Sequence, residues 1–145
     1  MPVDRSASRA TLDTNVAIYA FDDSDRKGPL ARLVLVKAAF ISVQLLNEFA
    51  NVTVRKRKRG WGDAAWGISR LRAIIPDVRA IQPGNNSEAL RIADRYRLSF
   101  YDALMLAVAL SGGARTFYSE DMQHDLLIDD TLRIADPFRQ ESPAR

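Results

Sequence analysis

Cysteine is absent from this 145-residue sequence, and histidine occurs once, at His124. The first absence removes disulfides, thiolate nucleophiles and cysteine zinc sites; the second removes paired-histidine acid–base catalysis. Long apolar runs are lacking too. No stretch approaches the roughly 20 residues of a membrane span, and residues 1–10 hold no apolar run of the kind found in a signal peptide. Internal repeats and low-complexity segments are also missing. These absences lead us to expect a soluble, cytoplasmic protein with no need of an oxidising compartment.

What is present is enough apolar material for a real core: 47% of the residues are hydrophobic. One domain over residues 1–145 is expected, with a polar leader at 1–8 and a frayed polar tail at 140–145. The net charge is +3, yet Arg55, Lys56, Arg57, Lys58 and Arg59 stand in one run, and without them the chain is net acidic. A local basic block fits a phosphate backbone and makes these five residues candidates for RNA binding. The same block also fits a solvated helix end, with cations near the negative end of the helix dipole.

Short apolar segments alternate with helical ones. Residues 9–13 (RATLD) read as a strand running into a helix over 16–21, and a loop over 22–25 with Gly28-Pro29 precedes a second helix over 30–37. Residues 39–42 (AFIS) read as a strand with Ser42 capping a helix whose inward face carries Leu45, Leu46, Phe49 and Val52. The basic run ends that helix, Gly60-Trp61-Gly62 turns the chain, and a helix over 63–75 follows, closed by Pro76. Further strands are expected at 78–81, 116–118 and 132–135. Between the first two of these lie a helix capped by residues 85–87 and the most apolar helix, 103–110, opened by Ser99 and stopped by Gly112-Gly113. This alternation predicts an α/β fold, a three-layer α/β/α sandwich with a mostly parallel central sheet, whose ligand site lies beyond the carboxyl ends of the strands.

Asp13, Glu48, Asp102 and Asp121 lie in four separate stretches, each where an apolar run begins, ends or turns. Each has a structural explanation: Asp13 as a helix cap, Asp102 in the capping-box spacing after Ser99, Glu48 on a polar stripe with Gln44, Asn51 and Arg55, and Asp121 as a turn residue. Taken together they also suggest one cluster assembled by folding. Clustered carboxylates repel one another unless a cation sits among them, and an all-oxygen set suits magnesium or manganese better than zinc. A metal so held activates water and neutralises a phosphoryl oxygen, which is the chemistry of phosphodiester hydrolysis. Thr14, Asn15 and Ser119 neighbour the acids and are candidates to hydrogen-bond them, or else caps and turn formers. His124 reads as a loop residue outside the catalytic set. Trp61, between two glycines, is a candidate for base stacking, and Trp66 for helix packing.

The ordered strings LDTN (12–15), LLNEF (45–49), SFYDALMLAVAL (99–110), TFYSEDM (116–122) and IADPF (134–138) resemble those of the PIN-domain ribonucleases, most closely the VapC-type toxins of toxin–antitoxin pairs. The resemblance implies a magnesium- or manganese-dependent endoribonuclease. Its acidic set would be Asp13, Glu48, Asp102 and Asp121, with Thr14, Asn15 and Ser119 in support. It also implies a homodimer silenced by a cognate antitoxin whose tail covers the site. One departure is Asp125, which stands where such toxins usually carry a glycine. Two rival readings remain. A phosphatase of the haloacid dehalogenase type needs a proton-donating aspartate where this chain has Asn15; a binding-only PIN-like domain would use the basic run and have no need of the acids.

Overall fold

The computed structural model describes residues 9–23 and 25–139, so the leader at 1–8 and the tail at 140–145 lie outside the described residues. The chain opens with β1 (Ala10–Leu12), buried at all three positions, and passes through Asp13 into α1 (Thr14–Ala20) and α2 (Lys27–Lys37). Next come β2 (Ile41–Ser42), α3 (Val43–Arg55), α4 (Trp61–Ile74), β3 (Val78–Arg79), α5 (Pro83–Tyr96) and α6 (Phe100–Ser111). The chain closes with β4 (Thr116–Tyr118), β5 (Leu127–Ile128) and β6 (Leu132–Ala135).

Four strands form a sheet in the order β1-β4-β6-β5, in which β1, β4 and β6 run parallel and β5 pairs antiparallel at the edge. A parallel pair, β2 with β3, sits beside β1. Two bonds join it there: the Ala39 N–H to the Ala10 carbonyl at 2.8 Å and the Thr11 hydroxyl to the Phe40 carbonyl at 2.7 Å. The expected α/β class with a mostly parallel sheet is what the chain adopts.

α6 explains much of the core. Residues 103–109 are buried without interruption, as expected of a helix apolar on every side. It packs chiefly on α5, whose buried positions are Asn85, Ala89 and Ile92. α3 is amphipathic instead, burying Leu45, Phe49 and Thr53. Gly67 on α4 allows the close approach of these two helices, since a β-carbon there would lie 2.6 Å from the Phe49 ring.

The expected caps at Ser42 and Ser99 are present: their hydroxyls accept from the amides of Leu45 at 3.1 Å and Asp102 at 3.3 Å. Helices α1 and α6 start two and three residues earlier than the sequence pattern suggests, at Thr14 and Phe100, and α2, α4 and α5 also start early. α2 takes in Gly28 and Pro29, because proline lacks only an N–H that the first helical turn leaves unpaired anyway. α4 starts at Trp61, where the Asp63 carboxylate reaches back to the Gly60 amide at 3.0 Å. α5 starts at Pro83, and Asn85, rather than capping from outside, lies within the helix and accepts from the Gln82 amide at 2.7 Å. The strand expected over 78–81 is only two residues long, and β5 lacks the apolar alternation that would have announced it.

The β5–β6 turn has both central residues left-handed, with φ of 50° at Asp129 and 55° at Asp130. It is pinned to α5: Arg91 donates to the Asp129 carboxylate at 3.0 Å, and the Tyr96 hydroxyl accepts from the Asp129 amide at 2.8 Å. The Arg91 guanidinium holds the Asp129 carboxyl below the ordinary carboxylate range.

Asp125 is also left-handed, with φ of 68°, a conformation that glycine adopts without penalty. Its side chain is exposed and, among the described residues, makes long ionic contacts of 3.5 Å to His124 and 3.7 Å to Arg133. Such surface contacts offset little of the left-handed penalty. Asp125→Gly should therefore stabilise the protein by up to about 1 kcal/mol, seen as a higher urea midpoint with an unchanged slope.

Candidate active site

Parallel pairing of β1 with β4 places Leu12 opposite Tyr118. The residues that follow, Asp13 and Ser119, therefore leave the sheet at the same level, and the Ser119 hydroxyl donates to Asp13 Oδ2 at 2.9 Å. Asp13 Oδ1 accepts from the Thr14 amide at 2.8 Å, so Asp13 caps α1 as well as facing the strand ends. The carboxylate is 6% exposed. Burial pushes its pKa up from 3.8 to about 6; the hydrogen bonds from Thr14 and Ser119 oppose that rise, and the charges of Asp102 and Glu48 add to it.

Asp102, in the first turn of α6, is half-buried. Its carboxyl is raised as well, first by burial and then, against the opposing bond with Ser99, by the charges of Glu48 and Asp121. The electrostatic neighbours of Asp13 and Asp102 thus include all four predicted acids, and neither Asp13 nor Asp102 owes its shift to a lysine or arginine. Four chain segments, two strand ends and two helices, bring these carboxylates to one region.

Each polar candidate is bonded to a different acid. Thr14 Oγ1 donates to Glu48 Oε2 at 2.6 Å, the Asn15 amide donates to Asp121 Oδ2 at 2.7 Å, and Ser119 serves Asp13. Hydrogen bonds to charged groups contribute about 1.5–3 kcal/mol each, enough to hold a carboxylate rotamer against its neighbours' repulsion. Gln44 was read from the sequence only as part of a polar stripe, yet its amide donates to Glu48 Oε1 at 3.1 Å. The i to i+4 spacing of Gln44 and Glu48 was the available signal.

Among the described residues, no group of three or more histidines and carboxylates is arranged so that it could hold a metal ion as it stands. The donor set nonetheless fits a hard cation: oxygens only, two carboxyls pushed up by burial and like charge, and no basic side chain compensating them. Asp13, Glu48, Asp102 and Asp121 are the residues that would hold it.

His124 is tied into the backbone rather than lying in an open loop: its Nδ1 accepts from the Asp136 amide at 3.0 Å. The basic run starts at the end of α3, as expected, with all five of its side chains exposed. It does not stand apart from acids, for Arg57 donates to Asp22 Oδ2 at 2.7 Å. Arg57 and Arg59 line a cleft of about 450 Å³ together with Phe21, Phe49 and Trp66. Trp66 does pack, edge-on to Phe21 with centroids 6.1 Å apart, but remains 61% exposed; Trp61 is 67% exposed.

A family profile of the PIN domain matches residues 10–127. The fold is similar to that of the sarcin–ricin loop cleaving toxin VapC20 from Mycobacterium tuberculosis, with a TM-score of 0.61 and 23% identity over 74% of this chain and 86% of that one. It is similar also to VapBC2 from Rickettsia felis, solved bound to a DNA fragment from its promoter, with a TM-score of 0.56 and 14% identity over 76% of this chain and 86% of that one. No curated protein sequence matches the chain.

The raised pKa of Asp13 has a consequence for stability. An acid whose folded pKa exceeds its unfolded value favours the fold most at low pH, and this contribution is lost as pH rises from 3.8 through about 6. In chelator, Asp13→Asn should be more stable than the parent at pH 7.5, by on the order of 2 kcal/mol, with the gap closing near pH 4. Urea unfolding at the two pH values measures both.

Proposed function

The chain belongs to the PIN domain family, and from that premise we propose that it is a metal-dependent endoribonuclease, the toxin of a VapBC-type pair. The observation carrying this reading is the convergence of Asp13, Glu48, Asp102 and Asp121 near the ends of β1 and β4, three of them, Asp13, Glu48 and Asp121, held by side-chain donors. Magnesium or manganese bound there would polarise the phosphate and activate water for hydrolysis of the phosphodiester bond. The chain's own residues do the rest. Asp13 provides the buried, fixed end of the donor set, locked between the Thr14 amide and the Ser119 hydroxyl. Thr14 and Gln44 present both oxygens of Glu48 in one orientation, and Asn15 orients Asp121 at the exposed rim, where a phosphate group enters.

The basic run supports RNA as the substrate. Arg55, Lys56, Lys58 and Arg59 are exposed, Arg59 in the wall of the cleft, while the Asp22 carboxylate spends part of the charge of Arg57 on the fold. The likeness to VapC20 and VapBC2 supports the toxin reading, which carries with it a cognate antitoxin, a homodimer and a cytoplasmic location. No helix among the described residues is long and apolar enough to cross a membrane.

Purified protein incubated with total cellular RNA should yield fragments with manganese or magnesium and none with chelator, and Asp102→Asn should lose at least a hundredfold of that activity. RNA binding without cleavage under every condition would replace this reading with a binding-only domain. Alanine at Lys56, Lys58 and Arg59 should weaken RNA affinity and flatten its dependence on salt, as fewer counterions are released.

A further inference from the structure

The segment carrying Asp121 is fastened by a residue that no motif singles out. Lys27, the first residue of α2, reaches Glu120 Oε2 at 2.6 Å. Its ammonium also lies over the ring of Tyr19 from α1, 4.8 Å from the centroid, and over that of Phe138, at 5.3 Å. These two rings pack edge to face at 5.4 Å. Tyr19 also engages Glu120, its phenol pushed up first by a hydrogen bond to that carboxylate and then by burial. Both charged side chains are mostly shielded, with 23% of Lys27 and 16% of Glu120 exposed. Cation, carboxylate and rings therefore meet in a partly desolvated setting, where such contacts are stronger than on an open surface.

Glu120 lies between Ser119, which bonds one carboxylate of the cluster, and Asp121, which carries another. On one side Ser119 donates to Asp13; on the other Asp121 accepts from Asn15, and the amides of Asp121 and Met122 return to the Ser119 hydroxyl at 3.2 and 3.3 Å. Holding Glu120 thus holds the turn on which Asp121, the exposed member of the set, depends. Lys27 does not balance the charge of the cluster, since it appears among the causes of neither the Asp13 nor the Asp102 shift and is itself neutralised by Glu120. Its role is mechanical. Gly28 supports it: a β-carbon there would stand 2.7 Å from the Asp22 carbonyl oxygen and 3.3 Å from that of Tyr19, so only glycine lets the start of α2 rest on the end of α1.

We propose that Lys27, Tyr19 and Glu120 form a positioning clamp that locks the Ser119–Asp121 turn and so sets the place of the fourth carboxylate. The inference rests on reading the four acids as a metal-dependent nuclease site. The variants Lys27→Met, Lys27→Arg and Gly28→Ala would be compared with the parent in three measurements: amide hydrogen exchange, calorimetric titration with manganese in the absence of RNA, and the manganese concentration giving half-maximal RNA cleavage. Lys27→Met should speed exchange at Asp121 and Met122 while leaving α6 protected, weaken manganese binding about tenfold or more, and raise the half-maximal concentration in step, with the rate at saturating manganese nearly retained. Gly28→Ala should do the same with the lysine intact, and Lys27→Arg should restore part of the protection. Unchanged exchange and unchanged manganese binding in Lys27→Met would overturn the clamp, as would exchange accelerated throughout the protein. If the parent neither binds manganese nor cleaves RNA, the nuclease reading fails, and local exchange at Asp121 and Met122 alone decides the clamp.

Discussion

The parallel pairing of β1 with β4 is the constraint on which the site depends. Because Leu12 stands opposite Tyr118, Asp13 and Ser119 emerge side by side, and the hydroxyl of one reaches the carboxylate of the other. A shift of one residue in that register would send the Asp13 side chain to the opposite face of the sheet. Register is held by burial: all three residues of β1 and the central Phe117 of β4 lie in the core, so slippage would expose them. The Asp13 amide continues the ladder one step past the strand by donating to the Tyr118 carbonyl at 2.8 Å.

Around that pair the fold accumulates negative charge instead of dispersing it. Carboxylates from the end of β1, from α3, from α6 and from the turn after β4 influence one another, and the two that are most perturbed owe their shifts first to lost solvation. A fold selected only for stability would have placed an arginine among them, as it did at the β5–β6 turn, where Arg91 and Asp129 pair directly. The contrast between these two acidic positions of one chain supports the proposal that the first serves a function. Neutral donors hold three of the carboxylates in place: Thr14, Asn15 and Ser119 fix the orientation of Glu48, Asp121 and Asp13 without cancelling their charge, as the proposed cation site requires.

Charge is handled differently at the far end of α3. There the basic run is split between duties, with Arg57 tying the helix end to the loop after α1 and its neighbours exposed to solvent. The cleft beside it mixes Asp22, Asp23 and Asp63 with Arg57, Arg59 and aromatic walls. Its surface is therefore not uniformly cationic, and the aromatic faces of Trp66 and Phe21 supply as much of its character as the arginines do.

The sequence by itself determined the alternation of strands and helices, the caps at Ser42 and Ser99, the burial of α6 and three of the polar residues around the acids, Thr14, Asn15 and Ser119, though not Gln44. All of these are local: a capping hydroxyl, an apolar period or a residue next to a strand end acts over a few positions. Helix starts at Pro83 and Lys27 were less legible, because proline in a first turn and proline that ends a helix look alike in a string of letters. Tertiary structure alone decided which donor serves which carboxylate, for the Thr14–Glu48 and Asn15–Asp121 bonds span 34 and 106 residues. It alone brought Lys27 to Glu120 across 93 residues and turned Arg57 toward Asp22. Such pairings depend on helix packing and strand register summed over the whole chain, so residue spacing could nominate the acids but could not show how each is held.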